Sequence, residues 1–148
     1  MARVLILEDD GALGIIMRSA LEDGGHEVLV AADGRIGLRV FGASKFDLVI
    51  TDMLMPDMDG IEIVRTLRAY RSAVKIIAIS GGGALDHGDL LGTALRLGAD
   101  ATLSKPFTPR ALLDTVSGVL GRAGRDAAGD AASGPSEAER PARPSGAV

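Results

Sequence analysis

A chain of 148 residues with 47% hydrophobic and 24% charged residues is long enough for one domain with its own core and short for two. A net charge of −4 and a pI of about 5.1 argue against a broad nucleic-acid or anionic-membrane surface. The lack of cysteine excludes disulfides, thiolate metal sites and cysteine nucleophiles. No apolar run approaches the roughly 18 residues of a membrane span, and the four apolar residues after Arg3 are too few for a signal-peptide core. A cytoplasmic protein without nucleic-acid or membrane partners is expected.

The first predicted strand is Val4-Leu5-Ile6-Leu7. Leu13, Ile16, Met17, Ala20 and Leu21 then follow helical spacing, and Gly24-Gly25 closes that helix. Val28-Leu29-Val30 reads as a strand, and Ile36, Val40 and Ala43 mark a second helix. Phe46 to Thr51 is the third strand, and Ile61, Val64 and Leu67 mark a third helix. Lys75 to Ile79 is the fourth strand, followed by a helix carrying Leu91, Ala94 and Leu95 and ended by Gly98. After the short strand Ala101-Thr102-Leu103, Thr108 reads as an N-cap and Pro109 as the first helical residue. Leu112, Leu113, Val116, Val119 and Leu120 form the buried stripe of this last helix. Near-continuous apolar strands alternating with helices predict a parallel sheet covered on both faces. Beyond Gly121 the chain turns to Ala, Gly, Pro, Ser, Arg and acids, with Val148 the one aliphatic larger than alanine. Residues 1–121 are expected to fold, and 122–148 to form a disordered tail that cannot offset its ordering entropy.

Reactive residues fall at strand ends. Glu8-Asp9-Asp10 follows the first strand, Asp52 the third, Ser80 the fourth and Lys105 the fifth, and open α/β sheets bind ligands at that edge. Singly, the acids read as helix caps or turn residues, and Lys105 as a solvated charge. His26 and His87 read as loop residues. Together the strand ends supply complementary chemistry. Clustered carboxylates repel, and a hard divalent cation such as Mg²⁺ relieves the conflict through oxygen ligands. Glu8 and Asp9 can hold such an ion beside Asp52, whose carboxylate can attack phosphorus. Lys105 and the Ser80 hydroxyl can then neutralise and hydrogen-bond the phosphoryl oxygens.

The stretches Leu5-Ile6-Leu7-Glu8-Asp9-Asp10 and Thr51-Asp52-Met53-Leu54-Met55-Pro56-Asp57-Met58-Asp59-Gly60, with Ser80 and Lys105-Pro106-Phe107, resemble the receiver domain of two-component response regulators. The likeness covers residues 2 to about 120 and is to the single-domain, chemotaxis-regulator-like form. It implies a flavodoxin-like five-stranded parallel sheet in the order 2-1-3-4-5 with helices on both faces. It also implies that Asp52 accepts a phosphoryl group from a histidine kinase or histidine phosphotransfer protein. Mg²⁺ would be held by Asp9 directly, Glu8 through water, Asp52, and the backbone carbonyl of Leu54. Ser80 would be the switch hydroxyl, Lys105 the phosphoryl contact, and the Lys105-Pro106 bond cis. The face of helix four, strand five and helix five would meet an unknown downstream protein, and the chain would be a monomer or weak homodimer. No enzyme activity is implied beyond Mg-dependent self-phosphorylation and self-dephosphorylation.

Three positions depart from the family pattern. Thr102 stands three residues before Lys105, where the family has Tyr or Phe. Leu54 and Gly82 stand two residues after Asp52 and Ser80, where polar side chains would orient an attacking water; a long-lived phosphoryl group is expected here. The run Gly81-Gly82-Gly83 makes its loop permissive. Other readings are a phosphate sink, a regulator lacking its output domain, and an aspartyl-nucleophile phosphatase. The last class normally has a second Asp where Leu54 stands. A nucleotide module built on the glycine run lacks a P-loop's Lys-Ser/Thr, and a phosphate-independent interaction module would not need the acids and lysine together.

Overall fold

A computed structural model describes residues 1–70, 73–81 and 90–133, with side chains described as far as Gly121. In chain order the elements are β1 (Arg3–Leu7), α1 (Gly11–Asp23), β2 (Glu27–Ala31), α2 (Gly34–Ala43) and β3 (Leu48–Asp52). A small ribbon, β4 (Leu54–Met55) and β5 (Met58–Asp59), precedes α3 (Gly60–Tyr70). Then come β6 (Lys75–Gly81), α4 (Leu90–Arg96), β7 (Ala101–Lys105) and α5 (Pro109–Ser133). Five strands form one parallel sheet in the order β2-β1-β3-β6-β7. That is the expected 2-1-3-4-5 once the ribbon is set aside.

Residue alternation along the strands builds both faces. Leu5, Leu7, Val49, Ile76 and Ala78 join a core with Phe41 of α2, Ile63, Val64 and Leu67 of α3, and Ala94 of α4. The alternate residues Val4, Ile6, Leu48, Ile50, Ile77 and Ile79 are buried as well, as are Met17, Ala20 and Leu21 of α1 and Leu112 and Val116 of α5. Burial on both sides explains why these strands read as continuous apolar runs.

The expected helix ends are observed. Gly25 and Gly98 take positive φ, 93° and 119°, and Thr108 Oγ1 accepts the Ala111 N–H at 3.0 Å. The Lys105-Pro106 bond is cis. Other details differ from the sequence reading. Ile16 and Ile36, which mark the helical spacing of α1 and α2, are 53% and 45% exposed. In α2 the buried positions are instead Gly34, Gly37 and Phe41. A Cβ on Gly37 would lie 2.5 Å from Leu7 Cγ, so this helix approaches the sheet through Gly37.

The third strand begins two residues later than the sequence suggests and includes Asp52. The last helix runs past Gly121 to Ser133, through the strong helix formers Ala123, Ala127, Ala128, Ala131 and Ala132. The chain divides into two compact units, residues 1–116 and 117–148. Gly82, Gly83 and His87, and the expected tail from 134 onward, lie outside the described residues. Among the described residues no helix is long and apolar enough to cross a membrane.

Candidate functional site

Chain direction in the parallel sheet sets the site. The C-terminal ends of β1, β3, β6 and β7 lie along one edge, with Asp52 in register beside Ile79 and Gly81 beside Lys105. The three acids after β1 divide their work. Glu8 is 2% exposed, and its Oε2 accepts the Asp10 N–H at 3.1 Å. Asp9 is exposed. Asp10 is the N-cap of α1, its Oδ1 accepting the Leu13 N–H at 3.2 Å, so for this acid the capping reading is the observed one.

Asp52, 3% exposed, is held from two sides. Its Oδ1 accepts the Leu54 N–H at 3.0 Å and its Oδ2 accepts Lys105 Nζ at 2.8 Å. The same ammonium lies 3.1 Å from Glu8 Oε1, close enough for charge attraction but outside hydrogen-bond geometry, so that buried oxygen has no hydrogen-bond donor among the described residues. Thr51, also buried, donates its hydroxyl to the Asp52 carbonyl at 3.1 Å.

Electrostatics follow from this geometry. Burial, reinforced by the charge of Asp52, pushes the Glu8 carboxyl up to about 7, against the lowering effect of the Asp10 N–H. Burial works against the charge on Lys105, but the hydrogen bond and charge of Asp52, followed by the charge of Glu8, outweigh it and raise its pKa. One oxygen from each of Glu8, Asp9 and Asp52 lies within 4.8 Å of the others. Two buried carboxylates, a third at the surface, and an oxygen lacking a donor form an all-oxygen set with more negative charge than one lysine neutralises. Such a set fits a hard divalent cation.

Ser80 is buried at the end of β6, and its hydroxyl donates to the Gly81 carbonyl at 3.4 Å, a long bond. The Leu54 side chain is 49% exposed, Thr102 is half-buried, and Gly82 lies outside the described residues. His26, given no role from sequence, accepts the Ala2 N–H on Nδ1 at 3.2 Å; burial and the nearby N-terminal charge lower its pKa.

Sequence reasoning missed the role of Asp57. Its Oδ1 and Oδ2 accept the N–H groups of Gly34 and Arg35 at 3.1 and 3.0 Å. These bonds, the one from Gly34 foremost, hold its carboxyl below the usual range. Local cap spacing cannot reveal an acceptor more than twenty residues away; the available signal was the lack of any acid in the first turn of α2.

The family model for the response regulator receiver domain matches residues 4–117. Among curated relatives, the KDP operon transcriptional regulatory protein KdpE of Escherichia coli is 43% identical over 107 residues, 72% of this chain and 46% of that protein. The alkaline phosphatase synthesis transcriptional regulatory protein PhoP of Bacillus subtilis is 31% identical over 120 residues, 81% of this chain and 49% of that protein. The chain thus spans about half, or less, of the length of the first curated relatives it matches. Among solved structures, a CheY-like receiver domain protein of Methanospirillum hungatei superposes with a TM-score of 0.78 at 32% identity, covering 85% of this chain and 98% of that one. With the strand order, the acid cluster and the lysine already in place, the chain belongs to the family of response regulator receiver domains of two-component systems.

Proposed function

We propose that this receiver accepts one phosphoryl group on the Asp52 carboxylate from a phosphohistidine on a histidine kinase or phosphotransfer protein. A carboxylate oxygen of Asp52 forms a bond to phosphorus as the P–N bond to the donor imidazole breaks, and the imidazole keeps that electron pair and takes up a proton. The observation that carries this reading is the buried Asp52 with Lys105 Nζ 2.8 Å away and oxygens of Glu8 and Asp9 within 4.8 Å. Mg²⁺, when bound by Glu8, Asp9, Asp52 and the Leu54 carbonyl, supplies positive charge that neutralises the phosphoryl oxygens. Lys105 shifts its ammonium from Asp52 Oδ2 to a phosphoryl oxygen and keeps its charge contact with Glu8. The Ser80 hydroxyl gives up its long bond to Gly81 and donates to the phosphoryl group.

In this reading the charge change at Asp52 biases a two-state element, and the face formed by α4, β7 and α5 meets a protein partner. The negative net charge supports a protein rather than DNA as that partner. A single-domain, cytoplasmic switch, monomeric or weakly dimeric, is the form proposed, with residues 1–121 as the switching domain. Its sole catalysis is phosphorylation and dephosphorylation of itself.

Intact-protein mass after incubation with acetyl phosphate tests the reading. One added phosphoryl mass is expected with Mg²⁺, none with a chelator, and none in Asp52→Asn. A folded wild-type chain that gains nothing from either acetyl phosphate or a phosphorylated kinase would overturn it.

A further inference from the structure

The helix α2 has its own N-cap, Asp33, whose Oδ1 accepts the Ile36 N–H at 2.7 Å. That leaves the N–H groups of Gly34 and Arg35, which no helix can satisfy internally. Asp57 takes both, one on each carboxylate oxygen. It lies in the turn between β4 and β5, directly downstream of Asp52. The seating is close: a Cβ on Gly34 would stand 3.0 Å from Met58 Cβ in β5. Chance proximity of an exposed acid to a helix end would produce neither the two-oxygen grip nor this fit.

A ribbon of two two-residue strands has no stability of its own, so its shape comes from its anchors. Three of these are internal to the acceptor loop and the start of α3. The Leu54 N–H bonds to Asp52, the Ile61 N–H bonds to Asp59 Oδ1 at 2.9 Å, and Gly60 lies against the Met53 backbone. The Asp57 grip reaches out of the loop to another helix.

We infer that Asp57 is a positioning residue of the acceptor site: it pins the β4–β5 ribbon to the N-terminus of α2 and thereby holds Leu54, whose N–H orients Asp52. The inference rests on Asp52 being the acceptor and on the Leu54 carbonyl facing the metal. An outer group that orients a metal's ligands typically changes affinity by about ten- to a hundredfold when removed. Releasing the ribbon should act at the low end of that range, because Glu8, Asp9 and Asp52 remain.

The test compares Asp57→Ala with Asp33→Ala in the full chain. Both remove a cap from the same helix end, but only Asp57 ties that end to the ribbon. Calorimetric Mg²⁺ affinity, amide hydrogen exchange at Leu54 and melting temperature are measured for each. Both variants should melt lower. Asp57→Ala should bind Mg²⁺ about tenfold more weakly and exchange the Leu54 amide faster, and Asp33→Ala should do neither. Asp57→Asn, which keeps one acceptor oxygen, should recover part of the affinity and covers the case in which the alanine variant fails to fold. Equal effects of the two alanine variants on affinity and exchange, or no effect of Asp57→Ala on either, would overturn the inference. Exchange and Mg²⁺ binding need no phosphodonor. A wild-type chain that binds Mg²⁺ but gains no phosphoryl mass would sink the acceptor reading while this comparison still decides the role of Asp57.

Discussion

Leu54 presents a half-exposed aliphatic side chain next to the buried Asp52, while its backbone N–H is spent on Asp52 Oδ1. Hydrolysis of an aspartyl phosphate needs a water aligned on phosphorus, and a leucine side chain offers no hydrogen bond to align one. Leu54→Asn supplies such a group without touching the backbone contact. Phosphoryl loss after donor removal, followed by intact mass, is expected to speed up several-fold in that variant; an unchanged rate would refute a role for this side chain. At this scale the sequence displayed the acids and the lysine because each stands at the end of an apolar run. Which acid turns inward was not displayed: Glu8 is buried while Asp10 caps a helix, and adjacency alone does not separate them. The partner of Ser80 and the grip of Asp57 were equally hidden, since both depend on how the backbone folds back.

At the level of elements, the continuous apolar strands and the glycine-terminated helices were legible, because burial on both faces and positive φ leave direct marks on residue choice. The β4–β5 ribbon left none; two-residue strands have no period to detect. Exposure of Ile16 and Ile36 was hidden for another reason. Helical spacing marks a stripe, but the width actually covered depends on the neighbouring element, and α2 is covered at Gly34, Gly37 and Phe41. Gly60 shows how tightly the elements around Asp52 meet. A Cβ there would lie 2.5 Å from both Cα and O of Met53, and backbone cannot rotate aside as a side chain can. Gly60→Ala is therefore expected to destabilise by about 1–3 kcal/mol through overpacking and to slow phosphorylation by displacing the residue next to Asp52. Gly11→Ala, where no atom lies within 4 Å of the added carbon, should stay within about 0.5 kcal/mol of wild type. Denaturant midpoints of the two variants check the contrast, and equal midpoints would contradict it.

For the whole molecule, alternation of strands and helices was enough to give the sheet, and the family resemblance supplied the strand order. The extent of α5 was less legible. Loss of large apolar residues after Leu120 marks where core-building side chains end, whereas an alanine-rich backbone can remain helical without them, as it does to Ser133. We propose that residues 122–148 add nothing to the switch. A chain ending at Gly121 should keep the melting temperature and acetyl phosphate reactivity of the full protein, and a marked fall in either would assign the segment a part in the fold.

The pairing of Lys105 with Asp52 spans 53 residues of sequence and joins the ends of β7 and β3, which are not neighbours in the sheet. Contacts of such separation form only after the intervening chain has closed. During synthesis Asp52 leaves the ribosome well before its lysine, so an unfinished chain carries the carboxylate without the ammonium that completes the site. If Asp52 is the acceptor as proposed, competence to receive a phosphoryl group would begin only once β7 has docked and brought Lys105 to it.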